Sequence, residues 1–265
     1  MAEKTKGELF EQAYLNVLKN RRIAELVYGE LADPYGEVKP YLLDLVTAAE
    51  PPAGKRPVVC YFPGSGFRQL ARRRLCRNED APTIAESFIR AGFAYVGVDY
   101  PLWHNKEDYR RDKAERTPAG GNPGFTVTAY AADAFRRVRA YLRAHAEQYG
   151  LDMERIVYFG TSAGAITGLF TLAAEPEAAS VFVDMCGAYE TNPVLPDSFP
   201  PVYCMHGDQD TTVPYAWQLD LQKRLDASKI PHRFIVAEGC GHDITEAMNR
   251  RMDEILRFCT EHLSK

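Results

Sequence analysis

The segment RIVYFGTSAGA, residues 155–165, sets Ser162 between Gly160 and Gly164 where an apolar run gives way to the helical pattern AITGLFTLAA. A strand turning sharply into a helix strains the backbone of its central residue, and small neighbours two positions either side let the two elements approach closely. The helix starting behind Ser162 aims unpaired amides and a positive dipole end at the hydroxyl, which favours negative charge there. A serine hydroxyl is a weak nucleophile at neutral pH. It needs a base to take its proton and a third group to fix the base's tautomer. FIVAEGCGHDI, residues 234–244, supplies His242, and PVYCMHGDQDTTVP, residues 201–214, offers Asp208 and Asp210. Asp243 adjoins the base too closely to fold back and orient it. The chemistry this set can perform is attack on a carbonyl carbon through a covalent acyl intermediate.

Such attack leaves a negative oxygen that backbone amides must stabilise. YFPGSGF, residues 61–67, follows an apolar run and carries two glycines one residue apart. A dinucleotide loop would need a third glycine where Gln69 stands and an acidic residue about 20 positions on, and Asp99 lies too far along. The loop instead suits an oxyanion, with the amides of Gly64 and Ser65 as donors, Gly66 in reserve, and Ala163 donating from behind the nucleophile.

Elements must bring these loops together. Eight short β-branched or apolar runs alternate with longer helical patterns: RIAELVYG, PYLLDLVT, RPVVCYF, FAYVGVDY, RIVYFG, SVFVDM, PVYCMHG and HRFIVAE. That rhythm predicts an α/β fold with a mostly parallel eight-stranded sheet and helices on both faces. Ser162, the acid and His242 each fall just past the C-terminal end of a strand, where open α/β sheets place their sites. One helix is predicted to end at Gly92, and a longer one, TVTAYAADAFRRVRAYLRAHAEQYG, at Gly150. In the longer helix Phe135, Val138 and Leu142 share a face, leaving Arg136, Arg137, Arg139 and Arg143 to water. Ile244, Met248, Met252, Ile255 and Cys259 recur at helical spacing in the closing segment and read as core.

At 265 residues, without repeats or a Ser/Gly-rich linker, the chain reads as one domain, 1–265, with residues 1–22 as an N-terminal helical extension. Its 46% apolar and 26% charged residues can fill a core, and a net charge of −4 gives no general reason to bind nucleic acid or an anionic membrane. No run reaches the roughly 18 apolar residues of a membrane span. The first residues lack the apolar core of a secretory leader, so a cytoplasmic location is expected. Six cysteines without paired spacing read as free thiols, mostly buried, and neither they nor the histidines are spaced for a metal. His206 reads as a strand-end residue that packs. ARRRLCRNED, residues 71–80, reads as local ion pairing on an exposed turn, and residues 104–123 as a charged surface excursion that could cover the site.

Five ordered motifs resemble the α/β-hydrolase superfamily, specifically its carboxylesterase and lipase-like branch. FPGSGF looks like that branch's HGGGF loop, GVDYPL like its DYRL strand end, and DMERIVYFGTSAG like its DPDRIxxxGxSAG turn; HGDQDTTVP and GCGH complete the set. The resemblance runs from about Ile23 onward. It selects Asp210 over Asp208 as the acid and implies ester hydrolysis through an acyl-enzyme, with no cofactor. Pro63 stands where histidine is usual, Ser65 where the middle glycine is, and Pro101 where arginine is. Only CGAYETNPVLPDSFP separates the sixth and seventh strands, leaving no room for a cap domain. A shallow site for short or carbohydrate-linked (acetyl or feruloyl) acyl esters is therefore expected, with Phe67, Trp103, His104 and Tyr189 as candidate pocket lining. A small prolyl-oligopeptidase-like peptidase, a thioesterase and a catalytically silent ligand-binding protein on the same scaffold are the alternatives.

Overall fold

The computed structural model describes residues 16, 19–50, 53–64, 66, 81–103, 107, 110 and 124–263. Nearly all of the expected N-terminal extension, residues 71–80 and most of 104–123 lie outside the described residues. Among those described, eight strands form one sheet: β1 (Arg21–Ala32), β2 (Val38–Thr47), β3 (Arg56–Phe62), β4 (Ala94–Val98), β5 (Leu151–Thr161), β6 (Val181–Met185), β7 (Val202–Gly207) and β8 (His232–Ala237), in the order β1-β2-β4-β3-β5-β6-β7-β8. β2 runs antiparallel to both β1 and β4, and every later pairing is parallel.

The central strands are apolar at nearly every position because both faces are covered. Along β3, Val58, Cys60 and Phe62 enter one core while Val59 and Tyr61 enter the other, as the two-residue period of a strand requires. The first core is closed by α2 (Gly124–Ala144), α4 (Ala163–Ala174) and α5 (Tyr215–Asp226). The second is closed by α1 (Ala81–Arg90) and α7 (Met252–Leu263), with α6 (Thr245–Asn249) contributing Met248. This is the α/β-hydrolase architecture.

Two expected helices are each broken. The run ending at Gly150 is α2 followed by α3 (Ala146–Tyr149), because His145 leaves helical geometry at φ −111° and ψ 13°. Its imidazole lies 2.8 Å from the Tyr141 carbonyl and stacks on the Tyr141 ring, competing for the helix's own acceptor. The closing segment likewise divides into α6 and α7. Its apolar spacing survives the break, with Met248, Met252, Ile255 and Cys259 all buried. Among the described residues no helix is long and apolar enough to cross a membrane.

Candidate active site

Ser162 sits between β5 and α4 with φ 50° and ψ −119°, a positive φ that costs a non-glycine residue energy. The surrounding structure enforces it. A Cβ on Gly160 would lie 2.5 Å from the Ala165 backbone, and one on Gly164 would lie 2.0 Å from the Phe62 carbonyl oxygen. The Ser162 amide donates to the Met185 carbonyl at 2.7 Å, fastening the turn to the end of β6.

His242 lies between β8 and α6, its side chain about a third exposed, and its Nε2 is 2.9 Å from the Ser162 hydroxyl. Its Nδ1 is 2.7 Å from Oδ2 of Asp210, in the loop after β7. A carboxylate can only accept, so Nδ1 carries the proton and Nε2 is left bare to accept from the serine hydroxyl. Asp210 is buried, and its other oxygen, Oδ1, accepts the amides of Thr212 at 2.8 Å and Val213 at 3.0 Å. Burial alone would raise its pKa. Hydrogen bonds from His206, His242 and the Val213 amide, with the charge His242 can carry, outweigh that and hold the carboxyl well below the usual range. Asp208, the rival for the acid, instead accepts the Gly239 amide at 2.8 Å, and Asp243, set aside beside the base, accepts the Thr245 amide at 3.1 Å.

His206 is a partner that sequence reasoning missed. Fully buried at the end of β7, it places Nε2 3.2 Å from the Asp210 carboxylate and 2.9 Å from the Val213 carbonyl. The available signal was its parity: it shares a strand face with the inward-facing Val202 and Cys204, and a polar side chain buried there must find hydrogen-bond partners.

The amide donors need a correction. The Gly64 N–H donates at 2.7 Å to the hydroxyl of Thr161, and the loop is tied again by the Tyr100 hydroxyl, which donates at 2.6 Å to the Pro63 carbonyl. Gly64 is thus engaged rather than open to an oxyanion, because the threonine preceding Ser162 is within its reach. Ser65 lies outside the described residues. The Ala163 amide opens α4 and has no acceptor among the described residues, in keeping with a helix's first turn.

Among the pocket-lining candidates, Phe67 and His104 lie outside the described residues. Trp103 is fully buried in the core with Phe62 and Tyr100, where its large apolar ring is best accommodated. Tyr189 is half-buried, its ring 5.9 Å from Phe170 and 5.7 Å from Trp217, which are packing contacts.

Cys186, His206 and Asp210 each bring a potential metal-ligating atom within 4.8 Å of the other two. Two of the three are already committed. The Asp210 oxygens accept four N–H groups, and Nε2 of His206 faces two acceptors and must itself be protonated.

Residues 127–263, which carry Ser162, Asp210 and His242, match the phospholipase/carboxylesterase family. The chain belongs to that family. Membership places it among hydrolases acting on esters. No curated protein matches it by sequence. Its fold is shared with a truncated carbohydrate esterase from gut microbiota at TM-score 0.66, 14% identical over 92% of this chain and 97% of that one. MGS-M1, an α/β-hydrolase from a Medee basin deep-sea metagenome library, superposes at 0.64, 19% identical over 91% and 99% of the two chains. Esterase 2 of Thermogutta terrifontis superposes at 0.63, 16% identical over 92% and 95%.

Proposed function

We propose that this member of the phospholipase/carboxylesterase family is a serine esterase for short-chain or carbohydrate-linked acyl esters. The observation that carries the reading is the unbroken hydrogen-bonded chain from the Ser162 hydroxyl through His242 to Asp210, at 2.9 and 2.7 Å. Ser162 attacks the ester carbonyl as Nε2 of His242 takes its proton. Asp210 stabilises the imidazolium that forms, and His242 returns the proton to the departing alcohol. Water activated by the same imidazole then releases the acid. The Ala163 amide donates to the developing oxyanion, and Ser65, which the sequence nominates, supplies the second donor.

Short acyl groups are favoured because residues 186–201, between β6 and β7, form no helix or strand that could cap the site. The fold shared with a carbohydrate esterase, and with a Lactobacillus rhamnosis esterase solved with a tributyrin phosphonate, fits the same range. The test is hydrolysis of p-nitrophenyl esters of increasing acyl length by the wild type and Ser162→Ala, with fluorophosphonate labelling of both. Wild-type turnover highest at acetate or butyrate, and labelling lost in the variant, are expected. Background rates and no label in the wild type would defeat the proposal, and turnover of amide substrates alone would redirect it to a peptidase.

A further inference from the structure

Behind the acid, the structure contains a second imidazole that the reaction just described does not use. Oδ2 of Asp210 is shared: Nδ1 of His242 lies 2.7 Å away on one side and Nε2 of His206 3.2 Å away on the other. The His206 ring is inaccessible to solvent and held at both nitrogens, Nε2 by the Val213 carbonyl at 2.9 Å and Nδ1 by Oε1 of Gln218 at 3.1 Å. We propose that His206 is a positioning residue that fixes the plane of the Asp210 carboxylate and withdraws negative charge from it, so that Asp210 stabilises the His242 imidazolium less strongly than it would alone. The inference rests on the serine-esterase reading.

Two imidazoles compete for one oxygen. Both imidazoles donate to Oδ2, so a stronger hydrogen bond from His206, or a positive charge on it, leaves less negative potential to stabilise the His242 imidazolium. Gln218 lets His206 change charge without losing a partner. Oε1 accepts from Nδ1–H of the imidazolium, and the same amide turned over presents Nε2 as a donor to a bare Nδ1. In the orientation found, the Gln218 Nε2 is buried without a hydrogen-bond partner among the described residues, so turning the amide breaks no bond on that side. Among the described residues, the charged and titratable groups around His206 are Asp210 from the loop after its own strand, Asp184 from β6, the Cys186 thiol after β6, Tyr215 from α5 with its ring 6.0 Å away, and His242 across Asp210. Burial disfavours a charged His206, but the Asp210 and Val213 hydrogen bonds and the nearby Asp184 prevail and raise its pKa.

The experiment compares wild type with His206→Gln, which keeps a neutral donor near the place of Nε2, and His206→Leu, which keeps none. Removing the titratable ring returns charge to Asp210, so the acid limb of kcat/KM for p-nitrophenyl acetate is expected to move to higher pH by about half a unit or more in both. The Leu variant should also lose about tenfold or more in kcat with little change in KM, and Gln should recover most of it. Melting curves establish that each variant is folded. A packing role alone would lower activity in proportion to unfolding and leave the pH profile in place, and acid limbs that superpose in folded variants would overturn the proposal. Should both fail to fold, Gln218→Met removes the Nδ1 partner alone; a smaller shift of the same sign supports the proposal and no shift overturns it. If the wild type hydrolyses no ester and takes no fluorophosphonate, the serine-esterase reading has failed. The pH response of the His242 Cε1–H NMR signal in wild type and variants then decides the inference, an upward displacement supporting it and superposition overturning it.

Discussion

Gly164→Ala is expected to damage stability and rate together, through one backbone contact. The added Cβ would sit 2.0 Å from the Phe62 carbonyl oxygen, 2.6 Å from its carbonyl carbon and 3.0 Å from its Cβ. A carbon–oxygen contact is ordinarily about 3.3 Å or longer, so α4 and β3 must separate by roughly 1.3 Å. Neither element can yield easily. β3 is hydrogen-bonded between β4 and β5, and the Phe62 ring stacks on Tyr158 at 4.7 Å with Phe135 edge-on at 5.6 Å. Overpacking a core typically costs about 1–3 kcal/mol, and a backbone-on-backbone clash belongs at the upper end, about 3 kcal/mol. At about 2–4 °C per kcal/mol, that lowers the melting temperature by roughly 6–12 °C. The same separation carries Pro63 and Gly64 away from Ser162, and a misplacement of about 1 Å at a reacting group can cost about 100-fold in rate. Calorimetry and p-nitrophenyl acetate kinetics measure both effects. Gly54→Ala is the control, since nothing lies within 4 Å of its added Cβ. A Gly164→Ala protein melting within about 2 °C of wild type and turning over normally would refute the claim that this glycine is required by close approach.

Three further outcomes are expected. Thr161→Val leaves the Gly64 amide without its acceptor and should lower stability by about 1–2 kcal/mol in urea titrations, with kcat/KM held within about tenfold; a larger rise would mean that the freed amide serves the oxyanion. Asp210→Asn removes the acid that sets the His242 tautomer and should cost about 10⁴-fold in kcat. Because its carboxyl is held below the usual range, the stability it contributes is present above about pH 4 and is lost as the pH falls through its folded value, so urea midpoints of wild type and variant should converge on acidification. Asp184 behaves in the opposite sense: burial, opposed by His206 and the Gly187 amide, pushes its pKa up to about 7. The native state therefore binds the proton more tightly than the unfolded chain, and stability is lost as the pH rises from about 4 to about 7. Asp184→Asn should gain roughly a few kcal/mol at pH 8 and almost nothing at pH 4, and equal gains at both would refute the assignment.

The sheet was legible because strands covered on both faces are continuous apolar runs with no competing reading. RPVVCYF corresponds residue for residue to β3. The helix breaks were not legible, since the one at His145 depends on where an imidazole points once Tyr141 and Tyr149 flank it. Ser162, His242 and Asp210 could be nominated because their loops carry backbone demands that glycines reveal in the sequence. The hydrogen bond between Thr161 and Gly64 left no such trace, because the position before the serine in the motif accepts many residues and only the folded chain brings its hydroxyl to the β3 loop. His206 escaped for a related reason: it lies four residues before the acid, and a turn must form before that spacing becomes a contact.

The alignment of the three proposed catalytic side chains is set largely by backbone contacts between their loops. A Cβ at Gly207 would lie 2.2 Å from the Gly241 carbonyl oxygen, so the loop bearing Asp210 packs directly on the loop bearing His242. The Gln209 amide donates to the Cys240 carbonyl at 2.9 Å and locks the two together. On the other side, the Ser162 amide is tied to Met185, and the Cys186 amide donates to Met205 in β7 at 3.0 Å, so the serine turn, β6 and β7 form one hydrogen-bonded block. A side chain positioned this way gives up its freedom when the chain folds rather than when substrate binds, which is where preorganised acyl-transfer sites gain their advantage. Glycine substitutions at the loop contacts should therefore act on rate and fold together, because there the backbone of one loop fixes the chemistry of the next.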